Sequence, residues 1–427
     1  MKKVLIIAYY WPPAGGPGVQ RWLKFVKYLP DFEIEPIVYV PENATYPILD
    51  QELESEINKN ITILKQPINE PYKLASIFSK KSTTTISSGI IKAEKKQSFV
   101  EKILLYVRGN FFIPDARVGW VKPSVDYLSN YIKSNAVDVI ITTGPPHSMH
   151  LIGLELQKRF AVKWIADFRD PWTSIGYHKE LKLTDKSAQK HKDLEKEVLT
   201  KADTILTTSS TTKNEFSEIT TKPIHVITNG YDIETIEKPA MDQKFTISHI
   251  GSLLSKRNPR ILWKALKEIL KENEQFRADF QLQLIGKVSS EIIDTITEFR
   301  LDGYINVLGY VSHTEALKYQ RSSQMLLLIE IDSYETIGII PGKLFEYMAA
   351  ERPILAIGPK ESDVEQIIKD TNAGKYFNYD NLDEVKQYIL DCYEKYQQKN
   401  LKVHGIGLQY FSRRKLTEKL ASVIKNV

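Results

Sequence analysis

Short apolar runs alternate with stretches of helical period along the whole 427-residue chain, the pattern of parallel strands buried on both faces and joined by helices. In the first half, Val4–Ala8, Ile34–Val40, Asp138–Thr142, Trp164–Ala166 and Thr204–Thr208 read as strands. Val19, Trp22, Leu23, Val26 and Leu29 keep helical spacing behind the first of them, as do Leu151 and Leu154 behind the third. The pattern restarts with Phe245–Ile250 and continues through Phe280–Ile285, Val307–Val311, Met325–Ile329 and Ile354–Ile357. Asn258 and Pro259 read as N-cap and first position of a helix carrying Ile261, Leu262, Ala265, Leu266, Ile269 and Leu270. A second helix carries Leu344, Phe345, Met348 and Ala349 and stops at Pro353. A third, at the end of the chain, has Leu416, Leu420, Val423 and Ile424 on one face.

This predicts an α/β fold of two Rossmann-like domains facing a cleft. Residues 1–235 form the first and 236–405 the second, with the polar, proline-bearing stretch 233–244 as linker; 406–427 is a helix that packs back across the boundary. Residues 73–102, with seven lysines against two glutamates, read as a mobile loop. The aromatic, basic stretch 99–114 reads either as a core-facing helix or as an amphipathic patch for a membrane face or a greasy acceptor.

Composition narrows the function classes. Hydrophobic content of 42% and charged content of 26% are ordinary for a globular protein. A net charge of +5 suits an anionic ligand or weak attraction to anionic lipid and is far from a nucleic-acid signature. The single cysteine, Cys392, excludes an intrachain disulfide and points to a reducing, cytoplasmic compartment. No run approaches the ~20 apolar residues of a membrane span, and the N-terminal run reads as a strand rather than a leader.

Candidate chemistry collects where strands end. After the first strand, Gly15, Gly16 and Gly18 either bring backbone close to a phosphate or make a tight turn. After the third, His147 sits in Thr143-Gly-Pro-Pro-His-Ser148, where open α/β sheets bind ligands; it reads as an acceptor contact or a turn histidine. Asp167, Arg169 and Asp170 share the next strand tip, either as a ligand site or as a structural Arg169–Asp170 pair. In the second half, Gly251 to Asn258 combines glycine, Lys256, Arg257 and a helix start, an anion site unless Arg257 is a solvated surface charge. Lys343 and Glu346 lie in the first turn of a helix held between a Pro-Gly loop and a buried strand. The cation can face phosphate and the carboxylate can hold a vicinal diol, or Glu346 offsets the helix dipole. No Asp-x-Asp pair or histidine spacing suited to a metal stands out.

In order and spacing, these segments resemble glycosyltransferase family 4, retaining enzymes of the GT-B fold. The resemblance implies a nucleotide-diphosphate sugar, UDP-, GDP- or related, as donor, with no cofactor and no metal. Arg257 and Lys343 would hold the diphosphate and stabilise its departure, with Gly251 beside them, Glu346 would hold the ribose, and Gly15 and Gly16 would approach the phosphate. His147, Arg169 and Asp170 would line the acceptor side, His147 or Asp170 being the candidate base of an inverting variant. The acceptor implied is a glycan or lipid-linked glycan of cell-surface polysaccharide biosynthesis, handled in the cytoplasm at the inner face of an anionic membrane. Three departures stand out: the family's first glutamate, eight residues before Glu346, is replaced by Gly338, the histidine common after the strand leading to Asp167 is absent, and Glu351 stands where a helix-ending glycine is common. Two rival readings share the donor site: a sugar-nucleotide epimerase, and a relative that binds nucleotide sugar without turnover.

Overall fold

The computed structural model describes residues 1–70, 99–232 and 239–427. The loop expected over 73–102 therefore lies outside the described residues up to 98; from Phe99 the chain is helical, in Phe99–Phe111. Half of the expected linker, 233–238, also lies outside them. Two compact units form, Met1–Asn229 with Arg413–Val427, and Gly230–Ser412.

The first unit is a seven-stranded sheet of β1 (Lys2–Ile7), β2 (Ile34–Pro41), β3 (Thr62–Gln66), β4 (Val139–Gly144), β5 (Lys163–Phe168), β6 (Thr204–Thr207) and β7 (Ile224–Val226), in the order β3-β2-β1-β4-β5-β6-β7. All neighbours are parallel. Because strand side chains alternate, Val4 and Ile6 meet the helix Pro17–Tyr28 on one face, while Leu5 and Ile7 meet Val121–Ser134 and Ser148–Phe160 on the other. This is why the strands read as continuous apolar runs. The terminal helix Arg413–Asn426 belongs to this unit, burying Leu416, Leu420 and Ile424 in the Val4–Ile6 core. Arg413 ties its start to Gln20, donating to the carbonyl at 3.1 Å and to Oε1 at 2.8 Å.

The second unit is a six-stranded parallel sheet of β8 (Phe245–Ile250), β9 (Phe280–Ile285), β10 (Ile305–Gly309), β11 (Met325–Ile329), β12 (Ile354–Gly358) and β13 (Gly374–Asn378), ordered β10-β9-β8-β11-β12-β13. Ile247, Leu327 and Ile329 face the helices Arg260–Glu272 and Leu382–Gln397; Leu326 and Leu328 face Lys343–Ala349. Two local expectations are corrected. The helix after β8 begins at Arg260 with Pro259 as its N-cap. Asn258 does not cap it, because its Oδ1 accepts from the Trp263 indole at 2.8 Å and its amide donates to Thr295 Oγ1 at 2.9 Å. The strand expected at 307–311 forms at 305–309 and ends where Gly309 turns to φ 71°.

Chain order reverses direction between β1 and β4 and again between β8 and β11. In an open parallel sheet such a switch point leaves a crevice at the carboxyl ends of the two strands. The candidate side chains cluster at these two crevices.

Candidate functional site

In the second unit, β8 is followed by Gly251, whose φ of +114° only glycine adopts readily. A Cβ there would stand 2.8 Å from the Lys343 Nζ, so the missing side chain is the space the ammonium occupies. Tyr347 fixes the helix that carries Lys343. Its hydroxyl accepts from the Ile250 amide at 2.8 Å and donates to the Ile250 carbonyl at 3.2 Å, holding Lys343–Ala349 to the end of β8.

Lys343 Nζ donates to His249 Nε2 at 3.3 Å. His249 Nδ1 lies 3.0 Å from the Leu327 carbonyl, which can only accept, so Nδ1 carries the proton and Nε2 is the free lone pair. Burial, and then the nearby Lys343 charge, hold this imidazole neutral, far below its ordinary range. Burial pushes Lys343 down to about 7, the Arg257 cation pushes the same way, and Glu346 opposes. Burial works against the Arg257 charge, Glu330 and Tyr379 oppose that, and its Nε has no hydrogen-bond partner. Glu346 accepts from the Gln320 amide at 2.9 Å. Glu330, buried just after β11, accepts from Tyr376 at 2.7 Å and Ser362 at 3.0 Å, and burial raises its carboxyl to about 7. Two cations thus sit close enough to repel each other, with a neutral histidine as one's hydrogen-bond partner. Such an arrangement attracts a polyanion.

A pH dependence follows. A bound diphosphate would restore the Lys343 charge, so binding takes up a proton and weakens as the pH rises through about 7. Nucleoside diphosphate Kd is expected to rise roughly tenfold between pH 7 and 8.5. Calorimetry across that range should show the slope, and a Lys343→Arg variant, always charged, should flatten it.

In the first unit, Gly16 (φ 112°) turns the chain into the helix Pro17–Tyr28, and the Gly15 amide donates to the Ile48 carbonyl at 3.0 Å. Gly18 is forced by Arg169, since a Cβ at Gly18 would lie 1.4 Å from the Arg169 Nη1. That guanidinium donates from Nε to the Gly144 carbonyl at 3.2 Å and from Nη2 to the Pro145 carbonyl. Arg169 therefore ties the chain after β5 to the loop after β4 and packs over Gly18, with the Asp170 carboxylate within its electrostatic reach. The buried ion pair here is Arg21–Asp167 at 3.0 Å, with Asp167 Oδ2 also accepting from Trp22 Nε1 and Thr143 Oγ1, each at 2.8 Å. Asp170 is half-buried, and burial raises its carboxyl. His147 is buried and stacked on Trp172, with ring centroids 4.9 Å apart. Neither of its ring nitrogens has a partner, and burial with His150 nearby keeps it neutral.

The structure thus brings Gly251, Arg257, Lys343 and Glu346 together in the second unit, and Gly15, Gly16, His147, Arg169 and Asp170 around the switch point of the first. Three residues were not singled out from the sequence. Glu330 is the one charge at the end of the Met325–Ile329 run, a signal of the same kind as Asp167. Gly286 repeats the Gly251 turn at φ +114°, with the Gly251 carbonyl 2.5 Å from where its Cβ would be. His249 alone, inside an apolar strand, carried no signal. Among the described residues no three His, Cys, Asp or Glu side chains are grouped to hold a metal ion.

Two family profiles match, one in each half of the chain. Residues 90–235 match "Glycosyltransferase Family 4" and residues 244–395 match "Glycosyl transferases group 1". The chain is a GT-B glycosyltransferase. Solved structures agree on the fold of this glycosyltransferase. Sucrose-phosphate synthase from Thermosynechococcus elongatus superposes with a TM-score of 0.63 at 11% identity, covering 100% of this chain and 99% of that one. Anabaena Alr3699/HepE in complex with UDP-glucose gives 0.59 at 13% identity and covers 100% of both chains. A putative UDP-N-acetylglucosamine 2-epimerase from Listeria monocytogenes gives 0.57 at 12%, covering 100% of this chain and 96% of that one. At such identities these neighbours bear on the fold alone. No curated protein sequence matches significantly. Among the described residues of the glycosyltransferase, no helix is long and apolar enough to cross a membrane.

Proposed function

We propose that the enzyme transfers a hexosyl group from a nucleotide-diphosphate sugar to a glycan or lipid-linked acceptor with retention of configuration, without a metal ion, in cell-surface polysaccharide synthesis at the cytoplasmic membrane face. The observation that carries the donor half is the pair Arg257 and Lys343, mutually repelling at the β8/β11 crevice, with an unpartnered guanidinium Nε and an ammonium bonded to a neutral imidazole. Placed there, the two cations stabilise the diphosphate as its bond to the anomeric carbon breaks. The acceptor oxygen bonds to that carbon on the same face, and its proton passes to the leaving phosphate oxygen. Glu346, oriented by Gln320, takes the ribose hydroxyls. The backbone of Gly338–Ile340 reads the sugar in place of the missing glutamate. On the acceptor side, His147 is a neutral contact; Arg169, held by main-chain carbonyls, shapes the loops; Asp170 faces the acceptor hydroxyl.

The likeness to the putative 2-epimerase keeps one second reading, epimerisation of the same donor. Incubation with UDP-, GDP-, ADP- and dTDP-sugars separates the two, followed by proton NMR. Slow release of nucleoside diphosphate with a sugar of unchanged anomeric configuration is expected. Epimerised donor would favour the second reading, and binding with no turnover would leave a nucleotide-sugar-binding protein. A Glu346→Gln variant that binds nucleotide as tightly as wild type would remove the ribose assignment.

A further inference from the structure

The β8–β11 ladder stops at Ser248 and Leu326. Just beyond it the Leu327 carbonyl is met by a side chain, His249 Nδ1, at 3.0 Å. That bond alone would make His249 a structural residue, one that satisfies a carbonyl where the sheet opens. Its second nitrogen has a different partner. The ring is wholly buried, and Nε2 accepts from the Lys343 ammonium at 3.3 Å. Gly251 has no Cβ, and the ammonium takes that space beside the ring.

The chemistry of the two neighbours explains why this residue is a histidine. A carboxylate at 249 could accept from Lys343, but it would cancel the ammonium and set a second acceptor against the Leu327 carbonyl. An apolar side chain would leave the carbonyl unmet and the buried ammonium without this acceptor. A neutral imidazole donates on one edge and accepts on the other, so it meets both groups and leaves the Lys343 charge undiminished. The surrounding groups act on the pair in opposite senses. Burial, the Lys343 charge and then Arg257 hold the ring neutral, while the Leu327 and Ser252 backbones oppose. Burial and Arg257 also press the ammonium toward its neutral form, and Glu346 opposes from the same helix. The Glu346 carboxylate is itself engaged by Gln320 at 2.9 Å.

We propose that His249 is the positioning residue of the donor cation, holding the Lys343 ammonium over Gly251 by a lone pair that adds no counter-charge. This role rests on the reading of Lys343 as a diphosphate ligand and adds to it a residue that acts only through the lysine. Calorimetry on the full chain tests it at pH 6 and pH 8, with whichever of UDP, GDP and ADP binds wild type most tightly. Without the acceptor the ammonium gives up its proton more readily. His249→Leu should therefore bind about tenfold more weakly at pH 8 and about twofold at pH 6, where acid restores the charge. His249→Gln, whose Oε1 can stand where Nε2 stands, should recover most of the loss. In the Lys343→Met background His249→Leu should cost nothing further, since its effect runs through the ammonium. A purely structural role would cost the same in both backgrounds and at both pH values. That result, wild-type affinity in His249→Leu, or a glutamine variant no better than leucine would overturn the role of His249. With Lys343→Met still impaired, the donor reading would stand. Undiminished binding in Lys343→Met, or no binding of any diphosphate, would overturn both. Should His249→Leu not fold, His249→Phe, which keeps a ring without its nitrogens, carries the same comparison.

Discussion

Lys343→Met is expected to lower kcat/KM for the donor by about 10²–10³-fold, the usual effect of removing one group aimed at developing charge. Methionine keeps most of the stem that packs over Gly251 and removes only the ammonium. Folding should therefore persist; thermal unfolding of the free protein checks this. Most of the loss should fall on kcat, because the charge on the departing diphosphate is greater in the transition state than in the bound donor. Arginine should not rescue it fully. The ammonium already fills the space a Gly251 Cβ would take, 2.8 Å away, and a planar guanidinium needs more room. Steady-state kinetics on the three proteins decide the matter. Wild-type turnover in Lys343→Met would remove the cation from the mechanism.

Asp167→Ala is expected to destabilise the first unit by about 3–5 kcal/mol, since it leaves a buried guanidinium without its counter-charge. Arg21 is almost wholly inside, and besides Asp167 it has the Thr228 carbonyl at 2.8 Å. Trp22 and Thr143 lose their acceptor as well. Urea denaturation of wild type and variant measures the difference. A paired Arg21→Met/Asp167→Ala protein should recover a substantial part of it, because two apolar groups leave nothing charged to bury. Equal losses in the single and double variants would show that the indole and hydroxyl bonds, rather than the ion pair, hold the helix to β5.

The same comparison shows what could be read from the residues and what could not. Continuous apolar runs such as Val4–Ile7 and Met325–Ile329 are buried on both faces, so their strand character survives without tertiary context. β13, with its Gly-Lys-Tyr-Phe-Asn sequence at a sheet edge, is only partly buried and showed no comparable run. Gly251, Arg257, Lys343 and Glu346 were legible because loops after parallel strands converge and each residue type has a narrow chemical use. Arg169 was left open between a ligand site and a structural pair with Asp170. A charged residue at a strand tip looks available, and only the fold shows carbonyls from another loop reaching it. Asn258 failed for a local reason: the indole of Trp263, in the first turn of the same helix, competes successfully for the cap oxygen. Glu330 escaped notice because its partners, Ser362 and Tyr376, are distant in sequence.

The account rests most directly on titration of UDP, GDP and ADP into wild type, Arg257→Ala and Lys343→Met. At least one nucleoside diphosphate should bind the wild-type protein, take up a proton near pH 7, and lose affinity at least tenfold in each variant. Equal affinity in all three proteins, or no binding of any diphosphate, would contradict the assignment of that crevice to the donor.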